Sequence, residues 1–210
     1  MIYRRKLYKT LLEWKKSNNR KPLIIRGARQ VGKSTLVHEF GKEFRYFIDL
    51  NLEKPQDKKL FVRLDNATDI INAIFLSKGI PFTDEPTLIF IDEIQESPEA
   101  IKMLRYFYEE FHGLFFIAAG SLLEFALKKV PSFPVGRVKQ IVLHPFDFEE
   151  FLSALNRKDL LDEIENVPVR DYAHDTILDL FHDYAIIGGM PEVIARYVEE
   201  KTMINLEKFM

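Results

Sequence analysis

Two rhythms of apolar and polar residues alternate along the chain. Short apolar runs bounded by Pro or Gly, PLIIR (22–26), TLIFID (87–92) and LFFIAAG (114–120), read as strands buried on both faces. The looser β-rich segments FRYFIDLNL (44–52) and RVKQIVL (137–143) predict two more. Between the strands, apolar residues recur at the spacing of one helix face. They are Leu7, Leu11 and Trp14 within 3–17; Leu36, Val37 and Phe40 up to Gly41; and Ile70, Ile71, Ile74 and Phe75, stopped by Gly79 and Pro81. Behind Pro98 follow Ile101, Leu104, Phe107 or Tyr108, and Phe111. A short helix is expected from Ser121 to about Lys128, then a loop, PSFPVG. The polar segment 53–66 predicts no element. Beyond Pro145 only helical spacing remains, over 146–155, 158–164, 168–182 and 191–200.

Strands alternating with helices imply parallel strands joined by right-handed crossovers, hence an α/β fold with a five-stranded parallel sheet. The loss of strands after Leu143 places a boundary between a core, 1–145, and a small helical part, 146–210. Phe146, Phe148 and Phe151 read as one helix docking on the sheet, with Glu149 and Glu150 exposed. The basic N-terminal residues, Arg4, Arg5 and Lys6 among them, read as a solvated face.

Composition narrows the picture mainly by exclusion. The chain has 210 residues, 47% hydrophobic and 30% charged, as a folded soluble protein does and a disordered one does not. A formal charge of -2 gives nucleic acid no support as a partner beyond local basic patches. With no cysteine, disulfides and thiolate metal sites are excluded, and the five histidines lack ligand spacing. No apolar run approaches the roughly 20 residues of a membrane span, and the N-terminus lacks the apolar run of a signal peptide. A cytoplasmic protein without membrane contact is expected, with an unidentified protein partner and oligomerisation left open.

GARQVGKS (27–34) fits G-x-x-x-x-G-K-[ST] between an apolar strand and an amphipathic helix. Gly27 and Gly32 permit the backbone turns that gather N–H groups around an anion at a helix N-terminus. Lys33 supplies a mobile charge for the β- and γ-phosphates, and Ser34 a hydroxyl for Mg²⁺. The nucleotide-binding set is Gly27, Ala28, Arg29, Gln30, Val31, Gly32, Lys33, Ser34 and Thr35.

LIFIDE (88–93) places two acids just past a buried strand, on the edge where parallel sheets bind ligands. Asp92 is the candidate Mg²⁺ ligand, through water, with Ser34 beside it. Glu93 is the candidate general base for an attacking water. NRKD (156–159) is not a guanine-reading motif, because it carries Arg for Lys and follows a helix rather than a strand.

With these motifs placed, the chain resembles an AAA+-type ATPase. More narrowly, it resembles a prokaryotic family of predicted ATPases that pair this module with an uncharacterised C-terminal domain. The marks, in order, are RGARQVGKSTL, LIFIDEIQ, AAGSLLEFAL, SFPVGRV, LHPFDFEEFL and IGGMPEVI. The resemblance implies the P-loop NTPase three-layer sandwich followed by a small helical lid. It implies that Ser121 senses the γ-phosphate, a role shared with its alternative as a helix N-cap. It puts Arg137 where an arginine finger reaches a neighbouring subunit, although a solvated strand-start Arg fits equally. It brings Pro191, in GGMP, near the nucleotide, and Pro in a first helical turn is the plain alternative. Relatives usually continue well past GGMP, so the resemblance leaves a natural short form, a truncated gene or a fragment open, with the effector domain outside this sequence and the lid itself open to being incomplete.

The resulting expectation is an ATP- and Mg²⁺-dependent ATPase, with Glu93, Lys33, Ser121 and Arg137 catalytic, driving a conformational change in a partner or a missing C-terminal domain. The alternative is a nucleotide-dependent switch or scaffold with little turnover, its association with DNA left open. A small-molecule kinase ranks low, because 146–210 carries only Arg157, Arg170 and Arg196, widely spaced.

Overall fold

The protein is described by a computed structural model covering residues 3–64, 66–121 and 136–207. Its chain divides into two compact units. One comprises Lys9–Arg29 and Lys33–Leu143; the other comprises Met1–Tyr8, Gln30–Gly32 and His144–Met210.

The first unit is built on five parallel strands: β1 (Leu23–Arg26), β2 (Tyr46–Asn51), β3 (Thr87–Asp92), β4 (Phe115–Gly120) and β5 (Lys139–Val142). They lie in the order β2-β3-β4-β1-β5, and every pairing is parallel. Strands β3 and β4 are buried at every position, which is why their sequences are unbroken apolar runs. Alternate side chains serve opposite faces. Ile89 and Ile91 join one core with Ile70, Ile74, Leu104 and Phe107, from α4 (Ala67–Lys78) and α5 (Pro98–Glu110). On the other face, Trp14 of α1 (Leu7–Lys16) packs on Phe40 of α2 (Lys33–Gly41) and on Phe115. Helices on both faces of one parallel sheet make the α/β three-layer P-loop NTPase fold expected from the sequence.

Helix boundaries follow local chemistry. Asn66 caps α4 by accepting from Asp69 N–H, and Gly79 ends it in the left-handed region at φ 63. Ser97 caps α5, with Pro98 in its first turn. The polar segment 53–66 does hold a helix, α3 (Pro55–Arg63). It buries only Phe61 and Asp57, so it carries no apolar stripe. Asp57 accepts from Asn51 N–H and pairs with Lys78 Nζ at 3.3 Å, which accounts for an acid in the interior. The helix expected over 121–128 lies, from residue 122 onward, outside the described residues.

The second unit carries α6 (Phe148–Ala154), α7 (Lys158–Ile164), α8 (Asp171–Ile187) and α9 (Pro191–Glu207). Helix α8 runs five residues past the expected end at 182, because Tyr184 and Ile187 continue its apolar face into the unit's core. Phe146, Phe151, Leu152, Leu160, Leu180 and Ile194 form that core. The rings of Phe146, Phe148 and Phe151 belong to the helical unit's own interior. Two expectations are corrected there. Glu150 and Arg5 are not surface residues: each is less than a tenth exposed, and Arg5 Nε meets Glu150 Oε1 at 3.1 Å. Glu150 also closes a capping box with Asp147 at the start of α6.

Candidate functional site

The phosphate loop leaves β1 at Arg26 and enters α2 at Lys33. Gly27 lies at φ 151 and Gly32 at φ 89, and Gln30 between them is left-handed at φ 63. Only glycine adopts Gly32's conformation without steric cost. Ala28, Arg29, Gln30 and Thr35 are exposed, Gly27, Gly32 and Ser34 half-buried, and Val31 and Lys33 buried. Lys33 folds back over the loop, its Nζ donating to Gly27 O at 3.1 Å and Ala28 O at 2.8 Å. Burial pushes its pKa below the usual lysine value, opposed by the charges of Glu93 and Asp92. An ammonium held on two carbonyls, with two acids close enough to act on it, is a cation lacking a full counter-charge. It sits beside the first N–H groups of α2, which have no intrahelical partner.

Asp92 ends β3, one strand beyond β4 from β1, roughly 10 Å across the sheet at the usual strand spacing. Helix α2 closes that gap: Ser34 Oγ donates to Asp92 Oδ2 at 2.6 Å. The other carboxylate oxygen accepts from Glu93 N–H at 3.0 Å. Burial raises the Asp92 pKa, partly offset by the Ser34 and Glu93 hydrogen bonds, with Glu93 and Asp49 adding like charge. A buried carboxylate touching a hydroxyl is a pair of hard oxygen donors suited to Mg²⁺, so the residues present fit that ion.

Glu93 is left-handed, at φ 51, between β3 and a short 3-10 turn, Ile94–Glu96. The register Arg26↔Gly120 sets Ser121, the residue after β4, at the same sheet edge as Gly27. The unit therefore gathers Gly27, Lys33, Ser34, Asp92, Glu93 and Ser121 at one edge. It does not bring Arg137 there. Lys139 pairs with Leu23, so Arg137 stands beyond the opposite end of β1, more than about 10 Å away by strand rise. Its Nε donates to Glu109 Oε1 at 2.8 Å, and the two side chains are half-exposed.

The loop tip, Gln30–Gly32, clusters with the helical unit. Arg5 Nη1 donates to Val31 O at 2.9 Å and Nη2 to His144 O at 2.6 Å, while the guanidinium lies over the Phe146 ring. A Cβ built on Gly32 would stand 3.8 Å from Pro191 Cγ. The preceding Gly189 has a packing reason of its own, since a Cβ there would lie 2.2 Å from Phe146 O. Arg5 escaped sequence reasoning, because nothing in a single sequence separates it from Arg4 or Lys6. The capping box D-x-x-E at 147–150 was a readable signal for Glu150.

Five parallel strands with a glycine loop closing on a strand-end acid define a P-loop nucleotide-binding protein of the ATPase class. A family model described as an AAA domain matches residues 19–152, well over half of the chain, and the chain belongs to that AAA domain family. Among solved structures it is similar to the Walker-type ATPase PABY2304 of Pyrococcus abyssi, at 20% identity and TM-score 0.55, over 99% of this chain and 75% of that one. It is also similar to Drosophila ORC in its DNA-bound structure, at 18% identity and TM-score 0.52, over 91% of this chain and 58% of that one. At these identities the likeness is one of fold. No curated protein matches the chain. Among the described residues no helix is long and apolar enough to cross a membrane, and no cluster of three or more His, Asp or Glu could hold a metal.

Proposed function

We propose that the chain binds ATP with Mg²⁺ on the loop Gly27–Thr35 and hydrolyses it to drive a conformational change in a protein partner or further domain. The observation that carries this reading is the contact of Ser34 Oγ with Asp92 Oδ2 at 2.6 Å beside the folded-back Lys33. In the proposed reaction Lys33 leaves its two carbonyls for the β- and γ-phosphate oxygens, recovering the counter-charge it lacks. Ser34 and Asp92 hold Mg²⁺, which neutralises phosphate charge when bound. Water attacks the γ-phosphorus, its proton passes to Glu93, and the bond to the bridging oxygen breaks to release ADP. Ser121, at the same edge, reads the γ-phosphate, and Pro191, beside Gly32, carries the change of state to the helical unit.

Arg137 is proposed to serve a neighbouring copy's site, since it stands at the far end of its own sheet. A chain on its own is then expected to turn over slowly, and the placement of Arg137 at the far strand end is the observation behind the second reading, a nucleotide-dependent switch. The DNA of the ORC structure belongs to that protein; a formal charge of -2 gives no comparable argument here. Steady-state phosphate release over a range of protein concentrations, with Mg²⁺ or with chelator, tests the reading. Turnover dependent on Mg²⁺ and rising faster than protein concentration is expected. Tight ATP binding without phosphate release at any concentration would leave the switch.

A further inference from the structure

The backbone of Glu93 is tightly held. Ile94 is fully buried behind it, and Ser97 caps the following helix by accepting from Ala100 N–H. Its carboxylate is less constrained, because the last side-chain torsion of a glutamate is broad. Among the described residues one hydrogen bond restrains it: Gln95 Nε2 donates to Glu93 Oε2. Turned the other way, the amide would set its own oxygen against a carboxylate oxygen, so the acid dictates the amide's orientation. That orientation leaves Gln95 Oε1 buried and without a partner among the described residues. An amide present for stability would have its oxygen satisfied, because an orphaned buried acceptor is unfavourable. The single hydrogen bond of the Gln95 side chain is spent on Glu93.

We propose that Gln95 is a positioning residue for Glu93, holding Oε2 so that Oε1 is the oxygen presented to the attacking water. This rests on the reading of Glu93 as the base. Fixing one oxygen locks the terminal torsion and leaves a single acceptor in a defined direction. A misaimed base loses rate rather than substrate affinity.

The test uses the full chain with Gln95→Leu, Gln95→Met and Glu93→Gln. Removing the amide should lower kcat about 10- to 100-fold while the KM for ATP stays within about twofold. The thermal midpoint should hold or rise, since the variant deletes an unsatisfied acceptor. The Mg²⁺ complex of ADP with aluminium fluoride, which mimics the transferring phosphoryl with its water in place, should bind Gln95→Leu about tenfold more weakly than wild type. Mg²⁺–ADP alone should bind both equally. Unchanged kcat and analogue affinity would overturn the proposal, as would a loss of rate that tracks a lowered thermal midpoint. Glu93→Gln turning over at the wild-type rate sinks the base reading itself. Glu93→Gln inactive beside a fully active Gln95→Leu sinks only the role of Gln95. Should wild type release no phosphate, the analogue decides, and equal affinity counts against Gln95.

Discussion

Ser34 Oγ donates to Asp92 Oδ2 at 2.6 Å, joining the start of one helix to the end of a strand 58 residues away. The hydroxyl removes part of the penalty of burying that carboxylate. Ser34→Ala should lower the Mg²⁺-dependent ATP affinity about tenfold, the equivalent of one hydrogen bond to a charged group at ~1.5 kcal/mol. Affinity measured in chelator should change little. Titration calorimetry with and without Mg²⁺ gives both numbers.

Lys33→Ala removes the buried ammonium that Glu93 and Asp92 act on. ATP affinity should fall about 10- to 100-fold, and turnover with it. Wild-type affinity in that variant would move the phosphate site elsewhere.

Glu93→Gln keeps shape and removes the proton acceptor. Single-turnover phosphate release should slow about 10²- to 10⁴-fold while ATP binding is retained. An equally fast Gln variant would assign water activation to another group.

Arg5 and Glu150 are paired in the interior of the helical unit across 145 residues of sequence. Arg5→Met leaves Glu150 buried without its charge partner, a loss of about 3–5 kcal/mol that urea unfolding should show. Replacing both residues by apolar ones of similar volume should destabilise less than Arg5→Met alone. Equal stability of Arg5→Met and wild type would mean that Glu150 is held by its capping box and the Lys6 N–H without Arg5.

Asp183 accepts from the Tyr197 hydroxyl and from Lys201 Nζ, which together hold its carboxyl below the usual carboxylate range. A depressed folded value stabilises above the unfolded pKa of about 4 and is lost as pH falls through the folded value. The side chains of Asp183 and Lys201 are about two-fifths exposed, so screening keeps the effect small. Wild type should melt about 1–3 °C above Asp183→Asn at pH 7, and the gap should close below pH 4.

What could be read before the fold was known is what is local. The phosphate loop is contiguous, and the strands before it and before the Asp92–Glu93 pair are runs buried on both faces, whose apolar character follows directly from that burial. The fold class followed from their alternation with helices. Helix α3 was not legible, because a helix held by one aromatic ring and a buried Asp57 presents no stripe. Arg5 was illegible as an interior group for a related reason. A charged or amide side chain is ordinarily solvated, and only its partner shows otherwise.

The sequence by itself determined the chemistry at hand, a loop able to wrap an anion, a lysine and hydroxyl beside it, and two acids at a strand end, because backbone turns and strand burial are set by near neighbours. Tertiary structure decided which of these groups meet. Strand order carried Asp92 to Ser34 and left Arg137 at the far edge, and the packing of the helical unit buried Arg5 against Glu150. Those outcomes depend on contacts between residues far apart in the chain, which no local pattern encodes.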